Sequence, residues 1–181
     1  MKKIILGICL SFLALNINAQ ETEKERRNDI MIDPVLLIAV PLINVSYERL
    51  LNKDVGLGLN AVISLNDDLD HFRQFSPFVR YYLGRNYASG FFLEGFVPIT
   101  SEDDYYVLYN FSPNGYYTTT EKTGNVTTVG IGFGIGGKWV VKERLVLEIS
   151  GGIARRFNSS SGEFRVSEAT PKLMAGVGYR F

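Results

Sequence analysis

Apolar and polar residues alternate along most of the chain. The alternation is clearest in the last segment, where Leu173, Ala175, Val177, Tyr179 and Phe181 share one face. Successive side chains of a β-strand point to opposite faces, so a period of two predicts strands and not helices. The pattern therefore indicates an all-β fold.

The alternation divides the chain into eight segments separated by turn residues. The first predicted strand runs from about Asp29 to Ala39, and its two faces are the least distinct. The other predicted strands are Ile43 to Tyr47, Val55 to Ile63, Val79 to Leu83, Phe91 to Ile99, Val129 to Trp139, Leu145 to Phe157 and Pro171 to Phe181. An even number of strands fits an antiparallel barrel.

The connections between these strands alternate in length. Three are short, namely Asn52 to Asp54, Gly84 to Ser89 and Val141 to Arg144, and three are long and polar, namely Asn66 to Gln74, Thr100 to Asn125 and Asn158 to Thr170. The first outer connection, near Pro41, is tight and departs from the pattern. Short turns at one end and long loops at the other are typical of transmembrane β-barrels.

The aromatic residues of the apolar face gather near the short turns. They are Tyr47, Tyr81, Phe91, Trp139, Tyr179 and Phe181. Aromatic side chains favour the boundary between lipid and water, so this grouping indicates an interfacial girdle on the periplasmic side. The apolar face is then expected to point outward.

Charged residues and glycines fill the opposite face, which would line a narrow barrel. The predicted charge network of this lumen consists of Asp33, Glu48, Arg80, Glu94, Lys138, Glu148 and Arg180. We expect the three glutamates to pair with Arg80, Lys138 and Arg180. The glycines of the sixth predicted strand should leave room for Phe92 and Phe96, because an eight-stranded interior is only wide enough for side chains to fill it.

The first residues are typical of a secretory signal peptide. Lys2 and Lys3 precede an apolar run from Ile4 to Leu15, and cleavage is predicted after Ala19. We therefore divide the chain into a signal peptide at 1–19, a polar leader at 20–27 and a barrel domain at 28–181. Export predicts a location in the cell envelope.

Charge and cysteine content exclude some alternatives. Loss of Lys2 and Lys3 would leave a net charge of about −2, which is not the basic footprint of a nucleic-acid-binding protein. The single cysteine, Cys9, lies within the predicted signal peptide. No disulfide is therefore expected in the mature chain.

The chain resembles the small eight-stranded outer-membrane barrels, the class of OmpX and the membrane domain of OmpA. The resemblance covers about residues 28–181 and is carried by the signal peptide, the strand spacing and the final strand ending in Tyr179, Arg180 and Phe181. It implies an eight-stranded antiparallel transmembrane up-and-down barrel in the outer membrane. It also implies contact with outer-membrane lipid, recognition of the last strand by the barrel-assembly machinery, and a monomer.

No catalytic, metal-binding or cofactor-binding residue is assigned, and no cofactor is expected. The glycine-rich run Gly132 to Gly137 matches a dinucleotide-binding pattern, but no helix follows it. The acidic segment Asn66 to His71 lacks the glycine and the terminal glutamate of a calcium-binding EF-hand loop. A barrel enzyme acting on lipid acyl chains would need His71, the only histidine, beside a nucleophile such as Ser76.

We therefore expect a structural or surface-interaction barrel with a filled lumen and no enzymatic activity. The alternatives are an outer-membrane lipid-modifying enzyme and a soluble periplasmic barrel that binds an apolar ligand. The candidate binding surface lies in the longest predicted loop, at Tyr105, Tyr106, Tyr109, Tyr116 and Tyr117. Tyrosine supplies a large contact area at a low entropy cost, although these residues could equally pack within their own loop. The extracellular partner is unknown.

Overall fold

The computed structural model describes residues 26–65, 72–112, 115–157 and 168–181. The predicted signal peptide and all but the last residues of the leader lie outside these ranges. So do the segment from Asn66 to His71 and most of the connection that begins at Asn158. None of the helices in the described ranges is long and apolar enough to cross a membrane.

The described residues form nine strand segments and one short helix. These elements are β1 (Asn28–Ile32), α1 (Pro34–Ala39), β2 (Leu42–Leu50), β3 (Val55–Ser64), β4 (Arg73–Tyr82), β5 (Gly90–Phe96), β6 (Ile99–Ser112), β7 (Gly115–Val141), β8 (Leu145–Phe157) and β9 (Ala169–Arg180). Each strand pairs antiparallel with its neighbours in a single sheet.

β5 and β6 are two parts of one barrel strand, separated by Val97 and Pro98. Both parts pair with β4 on one side and β7 on the other. The register does not change across the break, because Phe96 faces Gly132 and Ile99 faces Val129. Pro98 has no N–H to donate, so it interrupts the ladder without shifting it. The described chain is thus an eight-stranded antiparallel barrel, and the predicted fold class is confirmed.

The first and last strands close the barrel. Asp29 faces Arg180 and Ile32 faces Val177 across the pair formed by β1 and β9. At the end of this seam, the backbone N–H of Asn28 donates to the carbonyl of Phe181, and the N–H of Phe181 donates to the carbonyl of Asn28. Closure removes the edge strands that an open sheet would expose.

The predicted first strand is wrong beyond Ile32. The chain leaves the sheet at Asp33, whose Oδ1 accepts a hydrogen bond from the N–H of Leu36 at 2.9 Å. Pro34 occupies the first turn of α1, where its fixed φ and missing N–H cost least. An aspartate cap followed by proline therefore starts a helix within a run that alternation alone assigns to a strand.

The predicted loop from Thr100 to Asn125 is also wrong, because most of it is β-structure. β6 and β7 pair from Ile99 opposite Val129 to Ser112 opposite Gly115, with an irregularity between Asp104 and Tyr105. We call the part of this hairpin formed by residues 102–112 and 115–126 the ribbon. The segment is rich in tyrosine and threonine, which favour extended backbone.

Three short turns mark one end of the barrel, which we call the short-turn end. Asn52 Oδ1 accepts hydrogen bonds from the N–H groups of Asp54 and Val55, both at 2.8 Å. Lys142 and Glu143 have positive φ angles of 50° and 60°, and the N–H of Arg144 donates to the carbonyl of Val141 at 3.2 Å, so the chain reverses tightly between β7 and β8. The ribbon and α1 belong to the connections at the opposite end.

Candidate functional site

A single guanidinium organises the centre of the lumen. Arg80 Nε donates to Glu94 at 2.7 Å, and Arg80 Nη1 donates to Glu48 at 2.9 Å. Both Nη atoms donate to the carboxylate of Glu148, each at 2.7 Å. Arg80 therefore joins strands from different parts of the wall through fork-shaped contacts that a lysine could not reproduce.

A glycine allows Glu48 to reach this centre. Gly56 lies on β3, where it faces Leu50 of β2 on one side and Arg80 of β4 on the other. A Cβ atom built on Gly56 would lie 1.9 Å from Glu48 Oε1. The carboxylate thus occupies the space above Gly56 that any other residue would fill.

Lys138 extends the cluster toward the short-turn end. Its Nζ lies 2.5 Å from Glu48 Oε2 and 3.0 Å from Asp29 Oδ2. Asp29 also accepts hydrogen bonds from Arg180 Nε at 2.7 Å and Arg180 Nη2 at 2.9 Å. These contacts connect the central cluster to the seam between β1 and β9.

Lys172 completes the cluster on the side away from the short turns. Its Nζ donates to Glu94 Oε1. The same ammonium lies 4.4 Å from the ring centroid of Phe78 and 5.0 Å from that of Phe96. Aromatic faces attract cations, and they also exclude water from this ion pair.

Four carboxylates and four cations balance one another in this arrangement, which we call the lumen cluster. Its members are Asp29, Glu48, Glu94, Glu148, Arg80, Lys138, Lys172 and Arg180, and all are buried. Removing buried charges from water is costly unless each is paired and hydrogen-bonded. The cluster meets that requirement with eight groups drawn from seven of the eight barrel strands.

The short-turn end of the lumen is covered by the connection between β4 and β5. Ala88 of this connection packs with Leu50, Tyr82 and Phe92 in a buried apolar layer. Arg180 donates to the backbone carbonyl of Ala88 at 3.0 Å and to that of Tyr87 at 3.1 Å. The turn therefore folds under the lumen cluster and is bonded to the closing strand.

The opposite half of the lumen is polar but mostly uncharged. Gln74 Oε1 accepts hydrogen bonds from the hydroxyls of Thr100 and Thr170, both at 3.3 Å. Asn60 Nδ2 donates to Asn44 Oδ1 at 2.6 Å. Arg156, in the same half, donates to the hydroxyl of Thr128 and pairs with Glu102, each at 2.7 Å. Side chains thus fill both halves of the interior.

The glycines of β7 make room for aromatic rings, as predicted. A Cβ atom on Gly132 would lie 2.5 Å from Cζ of Phe96, and one on Gly136 would lie 2.4 Å from Cζ of Phe92. This accounts for the glycine-rich run Gly132 to Gly137 as barrel lining. Larger residues here would displace the rings that pack against Arg80 and Lys172.

The structure places six of the seven residues assigned to the lumen charge network in the lumen cluster, and Asp33 is the exception. Within the described residues, its carboxylate accepts from the N–H groups of Leu36 and Ala175 and from Asn44, with no ion pair. The expected partner of Arg180 was also wrong. Arg180 pairs with Asp29 and not with a glutamate.

Asp29 and Lys172 are members of the lumen cluster that the predicted network omits. The period of two places Asp29 on the same face as Met31 and Asp33, so the sequence alone could have assigned Asp29 to the lumen. Lys172 likewise shares a face with Met174 and Arg180. Their partners, in contrast, depend on how the barrel closes, which local alternation does not report.

The outward face is apolar around the barrel. Exposed aliphatic residues include Leu57, Val79, Ile131, Ile149, Ile153 and Leu173. The six aromatic residues assigned to the girdle are exposed as well, and they lie on strand segments near the short turns or at the end of β9. We call this continuous outward surface the apolar belt.

The candidate tyrosines of the binding surface lie in the ribbon. Tyr105, Tyr106 and Tyr109 are on β6, and Tyr116 and Tyr117 are on β7. The structure describes the backbone of these five tyrosines, and their side chains lie outside the described part of the structure. Tyr109 faces Thr118 and Tyr105 faces Lys122 across the ribbon.

The described ranges hold no group of three or more metal-ligating side chains. Ser76 is buried in the lumen and accepts a hydrogen bond from Gln74 at 3.2 Å. His71, the residue that would have to activate it, lies outside the described residues.

No protein-family model matches the chain, and no curated protein matches its sequence. The fold is similar to the crystal structure of the N-terminal β-barrel domain of Pseudomonas aeruginosa OprF. The two share 16% identity over 86% of this chain and 98% of the OprF domain, with a TM-score of 0.48.

Proposed function

We propose that the chain is an integral outer-membrane barrel that presents the ribbon as a surface for interaction. The main support for a membrane location is that the apolar side chains of the strands point outward and the charged side chains point inward. The outward face is the apolar belt, and the inward face holds the buried lumen cluster. A barrel in water requires the opposite arrangement, because apolar surface is stabilised by removal from water.

The aromatic residues support the same location. Tyr47, Tyr81, Trp139 and Tyr179 are exposed on the outward face close to the short-turn end. Tyrosine and tryptophan rings favour the level of the lipid headgroups, where one end of the ring meets hydrocarbon and the other meets water. We infer that the short-turn end faces the periplasm.

The filled lumen supports a structural role over transport or ligand storage. The space beside Glu94 and Lys172 does not admit a molecule the size of water, whereas small-molecule sites usually exceed roughly 300 Å³. The charged groups of the lumen cluster are hydrogen-bonded to one another at distances of 3.0 Å or less. A soluble barrel that binds an apolar ligand would need an apolar interior instead. We propose no enzymatic activity.

The ribbon supports an interaction role at the surface. β6 pairs with β4 only from Ile99 to Ser101, and β7 pairs with β8 only as far as Val129 opposite Phe157. No third strand pairs with the ribbon among the described residues. A two-stranded ribbon held by a rigid barrel can present its side chains, the tyrosines included, to another protein.

The ribbon is tested first for its position. A short epitope inserted between Ser112 and Gly115 should be stained by antibody on intact cells. Staining that requires permeabilised cells would place the ribbon in the periplasm and overturn the proposal. An epitope inserted between Lys142 and Glu143, in a short turn, is the matched control and should be stained only after permeabilisation.

The interaction role is tested with a shortened ribbon. Replacement of residues 105–123 by Asn-Gly joins Asp104 to Gly124, which already face one another. The shortened protein should keep its shift in apparent mass on heating, and cells expressing it should lose aggregation in suspension relative to the unaltered protein. Equal aggregation by both proteins would reject the ribbon as the interaction surface.

A further inference from the structure

The barrel wall is incomplete between β2 and β9. β1 ends at Ile32, which faces Val45 of β2 and Val177 of β9. β2 from Leu42 to Asn44 and β9 from Ala169 to Gly176 extend beyond that point. We call the resulting opening in the strand ladder the seam gap. Backbone groups in such a gap must be paired if the wall lies in lipid.

Side chains and backbone groups next to α1 pair the strands across the seam gap. The N–H of Asp33 donates to the carbonyl of Asn44 at 3.0 Å, and Asp33 Oδ2 accepts from the N–H of Ala175 at 2.9 Å. Asn44 Nδ2 donates to the carbonyl of Leu173 at 3.0 Å. These three bonds bridge the seam gap beyond the point where β1 ends.

A proline occupies another position of β9 whose backbone nitrogen faces the seam gap. Backbone groups of residues two apart point to the same side of a strand. Because Leu173 and Ala175 direct their backbone groups into the seam gap, the nitrogen of Pro171 faces it as well. Proline has no N–H, so this position leaves no donor unpaired.

α1 covers the seam gap and is itself uncovered. The helix contacts both β2 and β9, and none of its residues is buried. Val35, Leu37, Ile38 and Val40 are exposed, and Ile38 is 84% exposed. The segment from Pro34 to Ile43 has no charged or polar side chain. In water, a single apolar turn of this kind would be poorly stable.

The surroundings of α1 identify what covers it. Exposed apolar side chains flank the helix on both neighbouring strands, at Ile43 on β2 and at Leu173 on β9. The surface of α1 therefore continues the apolar belt without a boundary. A protein partner normally meets a patch that has a polar rim, and none separates α1 from the belt.

We propose that α1 is a lipid-contacting seal, and that acyl chains of the surrounding bilayer cover Val35, Leu37 and Ile38. The helix replaces the missing part of β1 and presents an apolar surface to the hydrocarbon. Asp33 and Asn44 lie beneath it and pair the backbone of the seam gap. This inference rests on the proposed membrane location of the barrel.

Quenching by lipid tests the proposal in the refolded full barrel. Trp139 is the only tryptophan, so Trp139→Phe provides a background for single-tryptophan variants. Ile38→Trp probes α1, Ile131→Trp probes the apolar belt and Asn125→Trp probes the ribbon. Each variant is inserted into phosphatidylcholine vesicles with and without bromine on the acyl chains, and its emission is compared with that of the unaltered protein.

The Ile38→Trp variant should emit at short wavelength and lose fluorescence to brominated chains as strongly as the Ile131→Trp variant. The Asn125→Trp variant should keep its fluorescence. Short-wavelength emission without quenching would mean that protein, such as a second copy, covers α1, and long-wavelength emission would mean that water does. Either result would contradict the proposal that lipid covers α1. Loss of quenching at Ile131→Trp as well would instead overturn the membrane location.

Discussion

Arg180 and Asp29 face one another across the strand pair that closes the barrel. The guanidinium donates to both carboxylate oxygens, at 2.7 Å from Nε and 2.9 Å from Nη2. The same guanidinium donates to the carbonyls of Tyr87 and Ala88 in the turn beneath the lumen. One side chain therefore joins the seam between the first and last strands to the turn that covers the short-turn end.

Arg180→Gln should lower the free energy of unfolding by about 3 kcal/mol, because it leaves a buried carboxylate with one cation fewer. Asp29→Asn should be similarly costly. The double variant should be less destabilised than the sum of the two single variants. Urea unfolding in lipid vesicles, followed by Trp139 fluorescence, measures all three. Additive losses would show that the two groups do not interact.

Arg80, at the centre of the lumen, should contribute more to the free energy of unfolding than Arg156, which lies toward the end opposite the short turns. Arg80→Gln removes the group shared by three buried glutamates and should cost about 3–5 kcal/mol. Arg156→Gln is the matched control, because Arg156 pairs with Glu102, whose side chain is 21% exposed. The same unfolding measurement compares them. An equal loss at the two positions would contradict the central role of Arg80.

A methyl group at Gly136 should not be tolerated. Its Cβ would lie 2.4 Å from Cζ of Phe92 and 2.8 Å from the carbonyl oxygen of Ile149. Gly136→Ala should therefore lower the free energy of unfolding by about 1–3 kcal/mol. Gly124→Ala is the control, because nothing lies within 4 Å of a Cβ atom there. A stable Gly136→Ala variant would show that the lumen is looser than described.

The filled lumen predicts that the barrel does not conduct steadily. Planar bilayers containing the purified protein should show no large, long-lived single-channel current. The side chains that block the path are the members of the lumen cluster, which pair across the interior. Stable currents of porin size would mean that a continuous aqueous path exists and that this packing does not persist in the membrane.

Much of the barrel could be predicted because its two faces differ so strongly. The period of two separated residues such as Ile131 and Ile149 from residues such as Lys138 and Glu148, and burial follows the same division. The short turns followed from local sequence as well. Local alternation is sufficient for these features because a strand alternates its side chains whatever its neighbours are.

The errors arose where another local signal competed with alternation. Asp33 and Pro34 begin a helix inside an apolar run, and the capping signal could have been read from the sequence. The polar composition of the ribbon predicts a loop, whereas its tyrosines and threonines favour the strands that the structure shows. The partner of Arg180 could not be predicted, since pairing inside a barrel depends on the register around the whole closed wall.

The apolar belt gives the most direct energetic prediction for lipid. Ile131→Arg should cost about 2–4 kcal/mol if the residue lies near the middle of the bilayer. Ile131→Val, which keeps an apolar side chain, should cost little. The comparison is made by unfolding from lipid vesicles. A neutral Ile131→Arg variant would show that this face does not meet hydrocarbon.

The central claim is that the apolar belt spans the outer membrane while the charges face inward. Density fractionation of cell envelopes, combined with electrophoresis of heated and unheated samples, tests it most directly. The account predicts that the protein is recovered with the outer membrane and changes its apparent mass on heating in detergent, as a closed barrel unfolds. Recovery as a soluble periplasmic protein with no such change would contradict it.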